Sequence, residues 1–315
     1  MKLNKTALQR CQRLIDEPSL ARVSVLRDES GAQLVDCGVH VPGGLEAGRA
    51  VAEVCLAGLG RVEFSASDPA VWPGQAVLVQ TDQPVAACLA SQYAGWPILR
   101  GEQFVGMGSG PMRAARGREA LFDTIGLRDA SSEAIGVLEA SSLPATDVCR
   151  QIADECSLAP EKLTLLVAPS TSIAGTIQVT ARTVETALHK MHELGFALDR
   201  VLCGFGVAPL PPVAANTLIG IGRMNDAVLY GGQVTLWVCG DDESLQELGP
   251  QIPSCASPEH GEPFARIFAR NDGDFYKIDP LLFSPATIEL VNTDSGNRFQ
   301  FGELSPNVLQ ESFNN

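Results

Sequence analysis

Histidine is scarce in this chain, with four among 315 residues, at positions 40, 189, 192 and 260. So few leave little material for a Ser-His-Asp or Cys-His nucleophile set, and no GxSxG elbow is present. The HExxH order is missing as well, and no CxxC pair supplements the histidines, which argues against a catalytic metal. Positive charge is also in deficit. Lysine and arginine total 23 against 37 acidic residues, a formal charge of −14, whereas grasping a phosphate backbone needs a concentrated basic surface. Nucleic acid is therefore not the expected partner. No apolar run reaches membrane length, and residues 1–20 read as a polar amphipathic helix rather than the apolar core of a leader, so no membrane association and a cytoplasmic location are expected. The glycine-rich residues 106–113 lack both GxxxxGK[ST] and GxGxxG, and nucleotide binding is not expected. Nine cysteines, odd in number and scattered, read as reduced, mostly buried thiols.

What is present is an apolar share of 45% in a chain of this length, enough for a large core in two lobes or domains. Residues 21–26 and 32–39 alternate about Asp28-Glu29-Ser30-Gly31, a hairpin signal. Helical spacing follows over 46–59, strands over 61–65 and 76–80, and a helix over 84–93. Residues 134–139 read as a strand ending on Glu139, and 144–156 as a helix with Pro144 in its first turn. Residues 163–168 form a short strand buried on both faces. Further strands are expected over 201–205 and 227–239, the latter turning through Gly231-Gly232. Residues 241–263 read as a surface excursion, and 275–286 leads into a hairpin across 294–297. This mixture predicts an α/β fold of mixed sheets with helices, not a regular Rossmann fold. Two domains are expected, 1–142 and 143–315, the second carrying the helix described next; discontinuity of either is left open.

Between 177 and 192 the apolar positions Ile177, Ala181, Val184, Leu188 and Met191 recur at spacings of four and three, the mark of a helix facing a core. Gln178, Arg182, Glu185, His189 and His192 follow one residue later, about 100° around the axis, so this polar stripe borders the core. The small-residue loop before it suits a pocket, with Thr176 as the expected N-cap. An exposed ion pair between Arg182 and Glu185, worth under about 1 kcal/mol, is the competing account of that stripe.

Five segments, VAPSTSIAGTIQVTARTVETALHK, GMGSGPMRA, GFGVAPLPP, RMNDAVLYGG and FYKIDPLLFSPA, together resemble the methenyltetrahydromethanopterin cyclohydrolase family, in the same order and across nearly the whole chain. The resemblance implies a homotrimeric enzyme of one-carbon metabolism, with a cleft between two domains and no metal or nucleotide cofactor. Its reaction would be water addition to the methenyl carbon bridging N5 and N10 of tetrahydromethanopterin, or its dephospho form, giving the N5-formyl derivative. Carried onto this chain, the family's catalytic arginine and glutamate match Arg182 and Glu185. Ser109, Gly110, Arg113, Asn225 and Asp226 fall in the resembling segments as candidate substrate contacts, Arg113 being suited to an anionic end. Glu139 joins them by its strand end and by an acidic residue of the family at that position, with a structural role equally open. Lys277 and Asp279 are read as securing the C-terminal segment. Two other readings remain: a non-catalytic pterin-binding protein, and a metal-dependent hydrolase using His189 and His192.

Overall fold

The computed structural model describes residues 1–274 and 277–314; Phe275 and Tyr276, which open one of the five segments, lie outside the described residues. In chain order the strands are β1 (Ser24–Arg27), β2 (Gln33–Asp36), β3 (Gly60–Ala66), β4 (Gln75–Thr81), β5 (Trp96–Arg100) and β6 (Gln103–Ser109). They continue with β7 (Ala134–Glu139), β8 (Leu163–Val167), β9 (Val201–Pro209), β10 (Gln233–Val238), β11 (Thr287–Asn292) and β12 (Arg298–Gly302). The helices are α1 (Leu3–Asp16), α2 (Leu45–Cys55), α3 (Met112–Arg116), α4 (Leu121–Ile125), α5 (Thr146–Glu155) and α6 (Ile173–Thr180). After these come α7 (Thr183–Glu193), α8 (Thr217–Gly231), α9 (Asp242–Leu248), α10 (Phe264–Arg270) and α11 (Pro306–Asn314). The elements segregate into two compact units, Met1–Gly60 with Ala86–Gln178, and Arg61–Val85 with Val179–Asn315. The expected boundary at 142/143 falls inside the first of them.

In the first unit the sheet order is β1-β2-β8-β7-β6-β5. β8 runs parallel to both neighbours, β2 and β7, while the outer pairs are antiparallel. A strand with parallel partners on both sides needs both faces covered, and all five residues of β8 are buried. Val35, Ile135, Val137 and Leu166 point to Ala7, Cys11, Val51 and Val54 of α1 and α2. Leu34, Leu138, Leu165 and Val167 point the other way, to Val148, Cys149 and Ile152 of α5. The β1–β2 hairpin is closed by Asp28, whose Oδ1 accepts from the Ser30 and Ala32 amides, both at 3.0 Å.

The second sheet has the order β12-β11-β10-β9-β4-β3, with β10 and β11 parallel and β9 antiparallel to both β10 and β4. Both sheets are thus mixed. β11 and β12 form the antiparallel hairpin expected across 294–297. Three sequence expectations need correction here. Ala227 to Gly231 is not a strand turning at a glycine pair but the end of α8, whose start is capped by Asn216 accepting from the Ile219 amide at 3.0 Å. Ala227, Leu229 and Tyr230 all pack with Phe264, Ile267 and Leu309; an apolar run buried all round carries neither period, so its type is illegible locally. Residues 241–263, expected as a surface excursion, carry α9 and fully bury Leu245 and Ile252. Pro144 precedes α5, whose N-cap is Ala145, and the helix expected over 84–93 is a π-helix, Val85–Gln92.

Candidate functional site

The polar stripe singled out from sequence lies at a break between two helices. Ser172, not Thr176, caps α6: its Oγ accepts from the Gly175 amide at 2.9 Å, and the Thr176 hydroxyl, already inside the helix, donates to the Ser172 carbonyl at 2.8 Å. The chain then interrupts itself. The Arg182 amide donates three residues back to Val179 O at 3.0 Å, and the Thr186 amide donates to Arg182 O at 2.9 Å, starting α7 afresh. Arg182 is consequently the N-cap of α7, and Glu185 sits in its first turn, where the positive end of a helix favours a carboxylate.

The apolar stripe behaves as its spacing requires, with Ile177, Ala181, Val184, Leu188 and Met191 fully buried. The polar stripe beside it is not a solvated face. Arg182 and Glu185 side chains are only 9% and 5% exposed, with Nη1 4.0 Å from Oε2. That separation exceeds hydrogen-bond length, so the pair is coupled by charge more than by a direct bond. The exposed ion-pair account therefore does not describe this pair. β9 makes room for the turn that carries it: a Cβ at Gly206 would meet Thr183 Oγ1 at 2.3 Å, and one at Gly204 would meet Val184 Cγ1 at 2.8 Å. The glycines of GFGVAPLPP are thus the seat of α7, within a strand where a flanking loop was expected.

Beside Arg182, within the second unit, lies a cavity of about 30 Å³ whose lining includes Thr186, Met224, Asn225, Phe283 and Ser284. Asn225 Nδ2 also donates to Ile221 O at 2.8 Å. Asp226, by contrast, is fully buried, accepting from the Phe264 amide at 2.8 Å and from the Ser312 hydroxyl at 2.6 Å. Burial pushes its carboxyl up to about 7 against those two bonds. It ties α8 to α10 and α11, and its oxygens are committed to the interior.

The other candidates belong to the first unit. Ser109 is buried at the end of β6, with Oγ 3.5 Å from Cys55 Sγ. Gly110 follows at φ +87°, its amide donating to Ser91 O at 2.9 Å, a turn that L side chains rarely adopt. Glu139, half-buried, pairs across to Met107 of β6. Arg113 requires a correction. Its side chain is fully enclosed: Nε donates to Glu119 Oε1 at 3.0 Å, Nη2 to Glu119 Oε2, and Nη1 to Leu89 O and Ser91 O at 3.0 and 3.3 Å. The Tyr93 and Phe122 rings lie 5.0 and 5.3 Å from its guanidinium carbon. A fork so engaged is a structural tie, not a receptor for an anionic ligand.

Lys277 pairs with Asp272 at 2.7 Å, and Asp279 accepts from Leu281 N at 3.0 Å and Ser257 Oγ at 2.6 Å, securing the segment as expected. Sequence reasoning missed Ser284 and Lys190. Lys190 is buried on α7, its Nζ donating to Leu281 O, and burial holds its ammonium down at about 8. The signal was present, since Ser284 lies in a resembling segment and Lys190 follows Ala187 by three on a helix buried over most of its circumference. His189 Nε2 stands 3.7 Å from Glu193 Oε1. Among the described residues no group of three or more His, Cys, Asp or Glu is placed to hold a metal ion, and no helix is long and apolar enough to cross a membrane.

Compared with known proteins, residues 2–313 match a family model described as Cyclohydrolase (MCH). A methenyltetrahydromethanopterin cyclohydrolase of Rhodopirellula baltica is 47% identical over 289 residues, 90% of this chain and 86% of that protein. The protein of that name from Methylobacillus flagellatus is 44% identical over 301 residues, 95% and 91% of the two chains. One from Methanospirillum hungatei is 39% identical over 312 residues, 99% and 98%.

Proposed function

The chain belongs to the cyclohydrolase (MCH) family, and on that premise we propose that it hydrolyses N5,N10-methenyl-tetrahydromethanopterin, or the dephospho carrier, to the N5-formyl derivative. The observation that carries the mechanism is the enclosed Arg182–Glu185 pair at the start of α7. The substrate's N–CH–N bridge is an amidinium-like cation and already electrophilic, so no metal or nucleotide is needed to activate it. The protein has to place a water, take its proton and hold the tetrahedral adduct. Glu185 is the group for the first two tasks. As the water oxygen bonds to the bridge carbon, its proton passes to the carboxylate; the C–N10 bond then breaks, N10 is protonated, the formyl group stays on N5, and one proton is released overall.

Arg182 holds the carboxylate's direction and keeps its negative charge compensated within a mostly enclosed site. Asn225, which lines the cavity beside Arg182, is the contact retained for the substrate. Asp226 and Arg113 are not, because their polar atoms are engaged inside their own units. The assembly proposed is a homotrimer, on the resemblance alone.

The test is loss of the methenyl carrier's absorbance with wild type and Glu185→Gln, on pterin and folate carriers, with and without a chelator. Glu185→Gln is expected to keep its fold and lose at least ~10²-fold in turnover, the scale of a positioned general base. Near-normal turnover in that variant removes Glu185 from the mechanism. Preference for folate overturns the substrate class, and loss of activity in chelator turns attention to His189 and His192.

A further inference from the structure

Lys190 is an expensive residue for the place it occupies. It is 2% exposed on α7, and a buried ammonium is unfavourable unless a counter-charge and hydrogen bonds answer it. Asp279 acts on it through charge, but that carboxylate is already engaged, accepting from the Leu281 amide at 3.0 Å and from the Ser257 hydroxyl at 2.6 Å. The ammonium itself donates to a neutral acceptor, the Leu281 carbonyl. Apolar side chains of similar volume often replace buried charges without loss of stability, or with a gain. Stability alone therefore does not account for a lysine here.

What its bond holds is a strap. The chain leaves Asp279, turns through Pro280–Leu282 and runs on to β11. Its far end is fastened by the Ser254 amide, which donates to Pro285 O at 3.0 Å, and by its own Ala286 amide, which donates to Val228 O of α8 at 3.2 Å. The tie to α7 comes from Lys190. Arg182, Thr186 and Lys190 follow one another at spacings of four, which puts them on one side of the helix. Arg182 and Thr186 border the cavity of about 30 Å³ together with Phe283 and Ser284 of the strap. The strap thus follows that side of α7, with Leu281 at Lys190 and Phe283 at the cavity beside Arg182. The Phe283 ring also meets Phe264 edge-on, 5.6 Å between centres, so the wall it offers the cavity is packed from behind.

We propose that Lys190 is a positioning residue for the Arg182–Glu185 pair: it pegs residues 281–284 onto α7 and so holds the apolar wall of Phe283 beside Arg182. Beside such a wall water is excluded, and the attraction between guanidinium and carboxylate is screened much less than at an open surface. Without the peg the wall lifts, water enters, and the carboxylate that takes the proton is less firmly aimed. The base is then displaced and not the substrate. The inference rests on the mechanism proposed above for its catalytic consequence, but the peg itself does not.

Three readouts test it. In a crystal structure of Lys190→Met, residues 281–284 are expected to stand farther from α7 than in the wild type; an unmoved strap overturns the proposal. In kinetics well below the unfolding temperature, Lys190→Met is expected to lower kcat ~10-fold with KM within about twofold, the pattern of a misplaced reactive group. Lys190→Arg, which keeps a cationic donor for Leu281 O, is expected to recover most of the loss. Unchanged kcat in Lys190→Met, or an equal loss in Lys190→Arg, overturns the positioning role. The third readout needs no variant at position 190, and it decides the matter should Lys190→Met not fold. Burial brings this ammonium to about 8, so wild-type kcat is expected to fall about threefold from about pH 7 to about pH 9 at constant KM, as the charge assisting the bond is lost. Cys255, which is exposed, also acts on Lys190 through charge, and Cys255→Ser is expected to keep the alkaline fall. A flat profile, or one flattened by Cys255→Ser, overturns the positioning role. If the wild type turns over no methenyl pterin, the functional reading and the positioning role fall together, and the displacement of the strap alone then decides the peg.

Discussion

Asp226 and Arg113 are the two ionisable groups whose meaning changes most between the chain read as letters and the chain folded. Each carries chemistry suited to a ligand, and each is turned inward. For Asp226 the consequence is measurable. Its carboxyl is held near 7 by burial, above the value it has in an unfolded chain, so the folded state keeps a proton that the unfolded state has lost between about pH 4 and 7. Folding stability from this group is complete below that window and falls as pH rises through it, by on the order of a few kcal/mol. Asp226→Asn keeps an acceptor for the Phe264 amide and supplies a donor to Ser312 Oγ without titrating. Its urea midpoint is expected to exceed that of wild type at pH 8 and to converge with it near pH 5. Parallel curves across that range would mean that the carboxyl is not the titrating group.

At the scale of elements, the decisive event is the break between α6 and α7, and what lets α7 lie where it does is β9. Thr183 and Val184, the first turn of α7, press on a strand that presents glycine at 204 and 206. A methyl group at 206 would stand 2.3 Å from Thr183 Oγ1, far inside contact distance, and a packed turn answers by shifting as a unit. Gly206→Ala is therefore expected to cost about 1–3 kcal/mol of stability, and also to lower kcat by ~10-fold or more because the same turn carries Arg182 and Glu185. The kinetic effect should persist well below the unfolding temperature; full turnover there would separate the seating of α7 from the chemistry. The apolar stripe of this helix was legible because helical period is a local property. The break was not, because it depends on which carbonyl the Arg182 amide finds.

On the scale of the whole molecule, the chain builds two mixed sheets by weaving, and each unit takes two separate stretches. β8 is the test of this arrangement, for it lies between β2 and β7 in the first sheet. A fragment ending at residue 142 has both neighbours and lacks the strand between them. Withholding Leu163, Leu165, Leu166 and Val167, all buried, removes roughly 6–12 kcal/mol of apolar burial at about 1.5–3 kcal/mol each, as much as a whole domain's stability. Residues 1–142 expressed alone are expected to show no cooperative unfolding by circular dichroism. A sharp transition with native-like ellipticity would overturn the topology given for that sheet.

From the sequence alone came the α/β mixture, the strands 134–139 and 163–168, the latter ending one residue earlier in the structure, both hairpins, the apolar face running from Ile177 to Met191, and the resemblance that names a reaction. These depend on near neighbours along the chain, where alternation, helical spacing and turn residues act directly. Only the tertiary structure decided that Arg113 is bound to Glu119 and two carbonyls, that Asp226 is shut between helices, that Ala227 to Gly231 is helical, and that Ser284 stands beside Arg182. Each of those outcomes turns on whether a buried polar or apolar group meets a partner brought from elsewhere in the chain. Ser312, 86 residues from Asp226, shows the distance involved: a charge can be hidden only where folding delivers the group that satisfies it, and no local pattern records that delivery.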